Sequence, residues 1–212
     1  IYNMAMQITL PNILTWLSAA SPFFISFFFL LESAFNSNWR FFPWVFGLII
    51  TQCLAMSLRA TGMMKFSLRK YLRHVPSINV GQNRMNDLCS IFEDKFYPEF
   101  AAPSTHGVFH AYTLVYIILG VANNPIPQGI GFIVVLSLLM GMDFFWRTTK
   151  RGNCETWKDF GVGMIIGGAA GFGVWMLIYN FVDPKLVYFG KEDNMKKCKL
   201  GKQEFKCTYK KI

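Results

Sequence analysis

The residues best suited to chemistry in this sequence are Pro103-Ser104-Thr105-His106-Gly107, at the start of an apolar stretch. The hydroxyl of Ser104 or of Thr105 can cap a helix that begins here, which leaves backbone N–H groups and the positive end of the helix dipole facing outwards. A helix N-terminus that also carries a hydroxyl and an imidazole is suited to binding a phosphate group. His110 follows one turn later on the same helical face. An ordinary capped helix with an interfacial histidine has the same residues, so the motif alone leaves both interpretations open.

Further polar residues lie on either side of this motif. Lys65 and Arg73 precede it, and Asp159 follows it at the start of a glycine-rich apolar run. That run places Gly163, Gly167 and Gly171 four residues apart, which predicts a small-residue face for close helix packing. The five cysteines do not form a metal-binding pattern, and the sequence predicts neither a metal site nor a cofactor.

Together these segments resemble the three signatures of the type 2 phosphatidic acid phosphatase superfamily, which includes lipid phosphate phosphatases and sphingosine-1-phosphate phosphatases. The run from Phe96 to His106 resembles the approach to the second signature, P-S-T-H, in the sphingosine-1-phosphate phosphatases. The resemblance covers residues 41–181 and implies a helical bundle whose three signatures meet at one membrane face. It also implies that His106 is a remnant acid and that Asp159 is a remnant orienting carboxylate. The phosphate-binding residues that it implies are Lys65, Arg73, Ser104 and Thr105.

The third signature lacks its nucleophile. The family places a phosphorus-attacking histidine four residues before the aspartate, and Glu155 occupies that position here. The arginine expected six residues earlier falls on Thr149, and no histidine follows His110. We therefore expect a non-catalytic protein that acts as an accessory or structural subunit of a membrane assembly or as a phospholipid-headgroup binder. The alternative is an active lipid phosphate phosphatase, of the phosphatidic acid or sphingosine-1-phosphate type, with a divergent third signature.

The elements that must position these residues are membrane-spanning helices. Hydrophobic residues make up 53% of the 212-residue chain and charged residues only 16%, well below the quarter usual in soluble domains. Five apolar stretches approach the roughly 20 residues that cross a bilayer: 13–31, 41–57, 106–122, 129–142 and 160–181. None carries a charge in its middle, which argues against a transporter or channel. The sequence thus predicts an all-α, polytopic membrane protein with about five transmembrane helices and a phosphatidic acid phosphatase-like bundle.

Five crossings place the loops over 59–104 and 143–159 on one side of the membrane. They carry 11 Lys and Arg, while the opposite side carries nine Lys of the tail and Arg40, so the positive-inside rule does not orient the chain. The organelle is equally open, with the endoplasmic reticulum and the mitochondrial inner membrane as candidates.

The chain divides into a helical membrane domain over 1–181 and a Lys-rich polar tail over 182–212. The net charge of +9 comes from loops and tail, which suits anionic lipid headgroups or other membrane-protein subunits rather than nucleic acid. Cys198 and Cys207 flank the turn-like Leu200-Gly201-Lys202, where a disulfide-closed hairpin and two free thiols are equally compatible with the sequence.

Overall fold

The described part of the chain contains five long α-helices, as seen in a computed structural model. It describes residues 10–36, 38–61, 102–123, 127–149, 155–188, 197–200 and 203–206. The helices are α1 (Leu10–Phe35), α2 (Phe41–Ala60), α3 (Thr105–Asn123), α4 (Pro127–Thr148) and α5 (Trp157–Leu177). A π-helical turn (Ile178–Val182) and a 3-10 turn (Pro184–Leu186) continue α5. All five are long and apolar enough to cross a membrane, which confirms the predicted helical membrane protein.

The fourth helix is longer than the sequence predicted. The apolar run ends at Met142, but α4 continues for six more residues to Thr148. Asp143 and Arg147 therefore belong to the last turns of a spanning helix, and both are buried. Their burial inside the bundle, rather than in a polar loop, is the largest difference between the predicted and the observed spans.

The third helix forms the centre of the bundle. In the apolar 18-residue stretch of α3, 72% of the residues are buried, against 22–33% in the corresponding stretches of the other four helices. It packs along α5 through the predicted glycine face, because a Cβ on Gly163, Gly167 or Gly171 would meet the backbone of α3. The contacted carbonyl oxygens belong to Ser104, Val108 and Tyr112, one helical turn apart. The glycines thus let the two backbones touch at regular intervals, as the sequence predicted.

Aromatic side chains fill the end of the bundle opposite to the start of α3. The ring of Phe29 lies 4.6 Å from that of Trp44 and 4.5 Å from that of Tyr188, measured between centroids. The Tyr188 hydroxyl donates a hydrogen bond of 2.9 Å to the carbonyl oxygen of Phe29. The segment that follows α5 is thereby attached to α1.

The tail contains two short antiparallel strands, β1 (Lys197–Leu200) and β2 (Gln203–Lys206). Leu200 pairs with Gln203, and residues 201–202 of the predicted turn lie outside the described residues. Cys207 lies outside the described residues, and the disulfide with Cys198 stays a prediction.

Candidate functional site

The start of α3 is fixed by its own cap and by two neighbouring helices. The Ser104 hydroxyl accepts a hydrogen bond of 3.0 Å from the backbone N–H of Gly107, so Ser104 is the cap, one of the two candidates that the sequence offered. The backbone N–H of Ser104 donates to the carbonyl oxygen of Asp159 at 3.1 Å. From α2, the guanidinium of the buried Arg59 donates to the carbonyl oxygen of Pro103. These contacts give the side chains of the first turns of α3 a defined position.

Two histidines of α3 meet one carboxylate of α4. His106 and His110 are one turn apart, and both contact Oδ2 of Asp143, at 2.9 Å from Nδ1 of His106 and 3.1 Å from Nε2 of His110. All three side chains are almost completely buried. The sequence indicated that the histidines share a face but placed Asp143 at the end of a span, in a loop.

Two serines of α1 complete this cluster. The Ser18 hydroxyl donates to Oδ1 of Asp143, and the Ser21 hydroxyl lies 3.2 Å from Nε2 of His110. Both serines are buried. Sequence reasoning missed them because single hydroxyls are common in apolar spans. The available signal was their spacing of three residues, which places both on one helical face.

A buried ion pair lies beside the histidines. Nε of Arg147 donates to Oε1 of Glu155, which joins the end of α4 to the residue before the cap of α5. Both side chains are about 2% exposed. Arg147 and Glu155 are close enough to His106 to act electrostatically on its imidazole. We call His106, His110, Asp143, Arg147 and Glu155 the ionisable cluster.

The structure places the predicted site residues as follows. Ser104, Thr105, His106 and Asp159 lie together at one end of the bundle. The hydroxyl of Thr105 has no hydrogen-bond partner among the described residues. Lys65 and Arg73 lie outside those residues, and their assignment stays a prediction.

The resemblance assigns Asp159 to orienting the histidine of the third signature, whose position Glu155 occupies here; in the structure, Asp159 caps the start of its own helix. Its Oδ2 accepts hydrogen bonds from the backbone N–H of Thr156 at 2.9 Å and from the Thr156 hydroxyl at 2.7 Å, which makes a capping box at the start of α5. The carboxylate that contacts His106 is Asp143. The physical reason is the longer α4, which carries Asp143 to the histidines while Asp159 is held at its own helix start.

The charge of the cluster limits what it can bind. With both imidazoles neutral, the two carboxylates outnumber the one guanidinium, and the sum is −1. An anionic ligand would add repulsion in a setting where water does not screen it, whereas a proton or a metal cation would balance the charge. Because the two nitrogens of an imidazole point to opposite sides of the ring, the Nδ1 contact of His106 leaves its Nε2 available to another group.

No protein-family model, curated protein or solved structure matches this chain. The resemblance to the phosphatidic acid phosphatase superfamily therefore stays a prediction.

Proposed function

We propose that this chain is a non-catalytic membrane protein of lipid-phosphatase type that serves as a subunit of a larger membrane assembly. One observation carries the proposal: Glu155, at the position where the resemblance expects the nucleophilic histidine, is buried and paired with Arg147. A guanidinium in such a site would hold the phosphoryl oxygens. Here an internal carboxylate contacts it, and in the sequence Glu155 rather than a histidine occupies the attacking position.

The same charges favour the subunit role over headgroup binding. A phospholipid phosphate placed in the ionisable cluster would meet a net negative charge rather than a surplus of cations. Headgroup binding would then depend on Lys65 and Arg73, which the resemblance assigns to phosphate binding. We therefore rank headgroup binding below the subunit role.

Native-membrane purification tests the subunit role. The tagged chain, extracted in mild detergent and passed through two affinity steps, should migrate well above the mass of one chain with its micelle, with partners in fixed stoichiometry. Migration as a single chain would overturn this role. Binding of the single chain to vesicles that contain phosphatidic acid, abolished in Lys65→Ala/Arg73→Ala, would support the headgroup role instead.

A second candidate is an active lipid phosphate phosphatase, and one contact favours it. Asp143 holds Nδ1 of His106, which is how a carboxylate orients a catalytic imidazole, and His110 supplies a second imidazole within the same cluster. In this candidate His106 would act through Nε2. The purified chain should then release phosphate from phosphatidic acid or sphingosine-1-phosphate.

The hydrolysis assay separates the two candidates. Turnover that disappears in His106→Ala would replace the non-catalytic proposal with the phosphatase. We expect the wild-type chain and His106→Ala to give the same background rate. His74 follows Arg73 in the sequence, and His74→Ala serves as a control for a nucleophile supplied by this third histidine.

A further inference from the structure

We infer that His106, His110 and Asp143 form a binding site for a divalent transition-metal ion such as Zn²⁺, buried where α1, α3 and α4 meet. Nδ1 of His106, Nε2 of His110 and a carboxylate oxygen of Asp143 all lie within 4.8 Å of one another. Two imidazoles and one carboxylate are a common donor set for Zn²⁺ and for non-haem Fe²⁺. The inference does not depend on the proposed function.

The distances suit coordination. In a tetrahedral zinc site with bonds of about 2.0–2.1 Å, neighbouring ligand atoms are roughly 3.3 Å apart. The observed separations from Oδ2 of Asp143 are 2.9 Å to His106 and 3.1 Å to His110. The nitrogens of the two rings lie within 4.8 Å of each other, so small adjustments of the rings would bring all three atoms to coordination distance. The histidines are four residues apart on one helix, a spacing that also serves metal ligands in helical zinc sites.

The surroundings of the three ligands resemble the second layer of a metal site. Ser18 donates to Oδ1 of Asp143, which leaves Oδ2 directed at the histidines. Partners of this kind orient ligands in metalloproteins and tune affinity. The Ser21 hydroxyl, 3.2 Å from Nε2 of His110, is close enough to supply a fourth ligand or to hold a metal-bound water.

Charge provides an independent argument. The ionisable cluster sums to −1 with neutral imidazoles, and it lies in spans where water cannot stabilise an uncompensated carboxylate. A bound divalent cation would make the net charge of the cluster positive and would contact the Asp143 carboxylate directly. The competing account is a hydrogen-bonded triad in which both imidazoles donate to Asp143 and one of them carries an extra proton.

Elemental analysis of the purified full-length chain distinguishes these accounts. The chain should carry a tag without histidines, and metal content should be measured by inductively coupled plasma mass spectrometry before and after incubation with Zn²⁺. We expect about one ion per chain. Cobalt substitution should give the visible absorption of a low-symmetry site, which reports coordination without any variant.

Matched variants then assign the ligands. Asp143→Asn and His110→Gln should each weaken Zn²⁺ affinity by more than the roughly 10–100-fold loss expected for Ser18→Ala, a change in the second layer. Ser137→Ala, which removes an exposed hydroxyl of α4 outside the ionisable cluster, should leave the affinity unchanged. Because Asp143→Asn can disturb folding, each variant is compared by size-exclusion profile.

Two results would overturn the inference. One is a wild-type chain that neither contains nor takes up Zn²⁺, Fe²⁺ or Mn²⁺ and shows no cobalt absorption; the hydrogen-bonded triad would then be correct. The other is undiminished Zn²⁺ binding in well-folded Asp143→Asn and His110→Gln, which would place the ion elsewhere in the chain.

Discussion

The two ends of the helix bundle hold α1 in place by different physical means. At one end, Ser18 and Ser21 attach it to the buried ionisable cluster. At the other, Phe29 packs among aromatic rings and accepts a hydrogen bond from Tyr188. The aromatic end gains dispersion energy from its ring contacts, and the charged side chain beside Tyr188, Glu32, is only partly buried. The ionisable end carries a desolvation cost that apolar residues of similar size would avoid. The comparison indicates that stability does not explain the ionisable end, and that its side chains are kept for what they bind or do.

Breaking the buried ion pair should have the largest effect on folding. Glu155→Ala leaves the Arg147 guanidinium without its carboxylate, and we expect a loss of about 3–5 kcal/mol in the free energy of unfolding. Replacing both residues with Met should recover most of that loss, because the remaining side chains are apolar. Unfolding in SDS titrations measures both variants. A double variant as unstable as the single one would show that the pair does stabilise the fold, and the contrast between the two ends would disappear.

Adding a methyl group to the glycine face of α5, which packs along α3 between the two ends, should have an intermediate effect on stability. A Cβ at Gly167 would meet the carbonyl oxygen, carbonyl carbon and Cα of Val108, none of which can move independently. Gly167→Ala should therefore cost about 1–3 kcal/mol. The matched control is Gly173→Ala on the same helix, where no atom lies within 4 Å of the added Cβ. Equal thermal stability of the two variants in detergent would contradict the close α3–α5 contact.

Removing one hydroxyl from the aromatic end should have the smallest effect. Tyr188→Phe deletes the hydrogen bond to Phe29 and keeps the ring, so we expect a loss of about 1 kcal/mol at neutral pH. A loss above about 3 kcal/mol, measured by the same SDS titration, would show that the aromatic end also depends on polar contacts.

Tyr188→Phe also tests how the buried phenol contributes to the stability of the aromatic end at alkaline pH. Burial raises the pKa of the Tyr188 phenol above its ordinary value of 10.0. Because the folded pKa is the higher one, the stabilising contribution is complete below about pH 10 and decreases as the pH rises further, by up to about 1.4 kcal/mol per pH unit. Tyr188→Phe should reduce the alkaline slope of stability by this amount. An unchanged slope would mean that the buried phenol does not contribute to it.

Hydropathy and spacing predicted much of this architecture but less of the site. Local patterns predict the five spans, the capped start of α3 and the glycine face of α5. Each of these patterns can be recognised within one segment of the sequence: an apolar length, a capping hydroxyl and a four-residue period. The site depends on contacts between distant segments. Ser18 and Asp143 are 125 residues apart, and only the fold brings them together. The charge at Asp143 also ended the predicted span early, because a hydropathy scale cannot recognise a carboxylate whose partners are supplied by other helices.

The enclosed position of α3 has a consequence for how the chain enters the membrane. It is the least apolar of the five spans, with a mean hydropathy of 1.4, and it is also the one that neighbouring helices cover most. Its polar groups, including two histidines, have a low free energy only after α1 and α4 surround them. Alone in lipid, α3 would partition less favourably than any other span. We therefore expect α3 to remain beside the insertion machinery during synthesis until its later neighbours emerge, and to be released into the bilayer together with them.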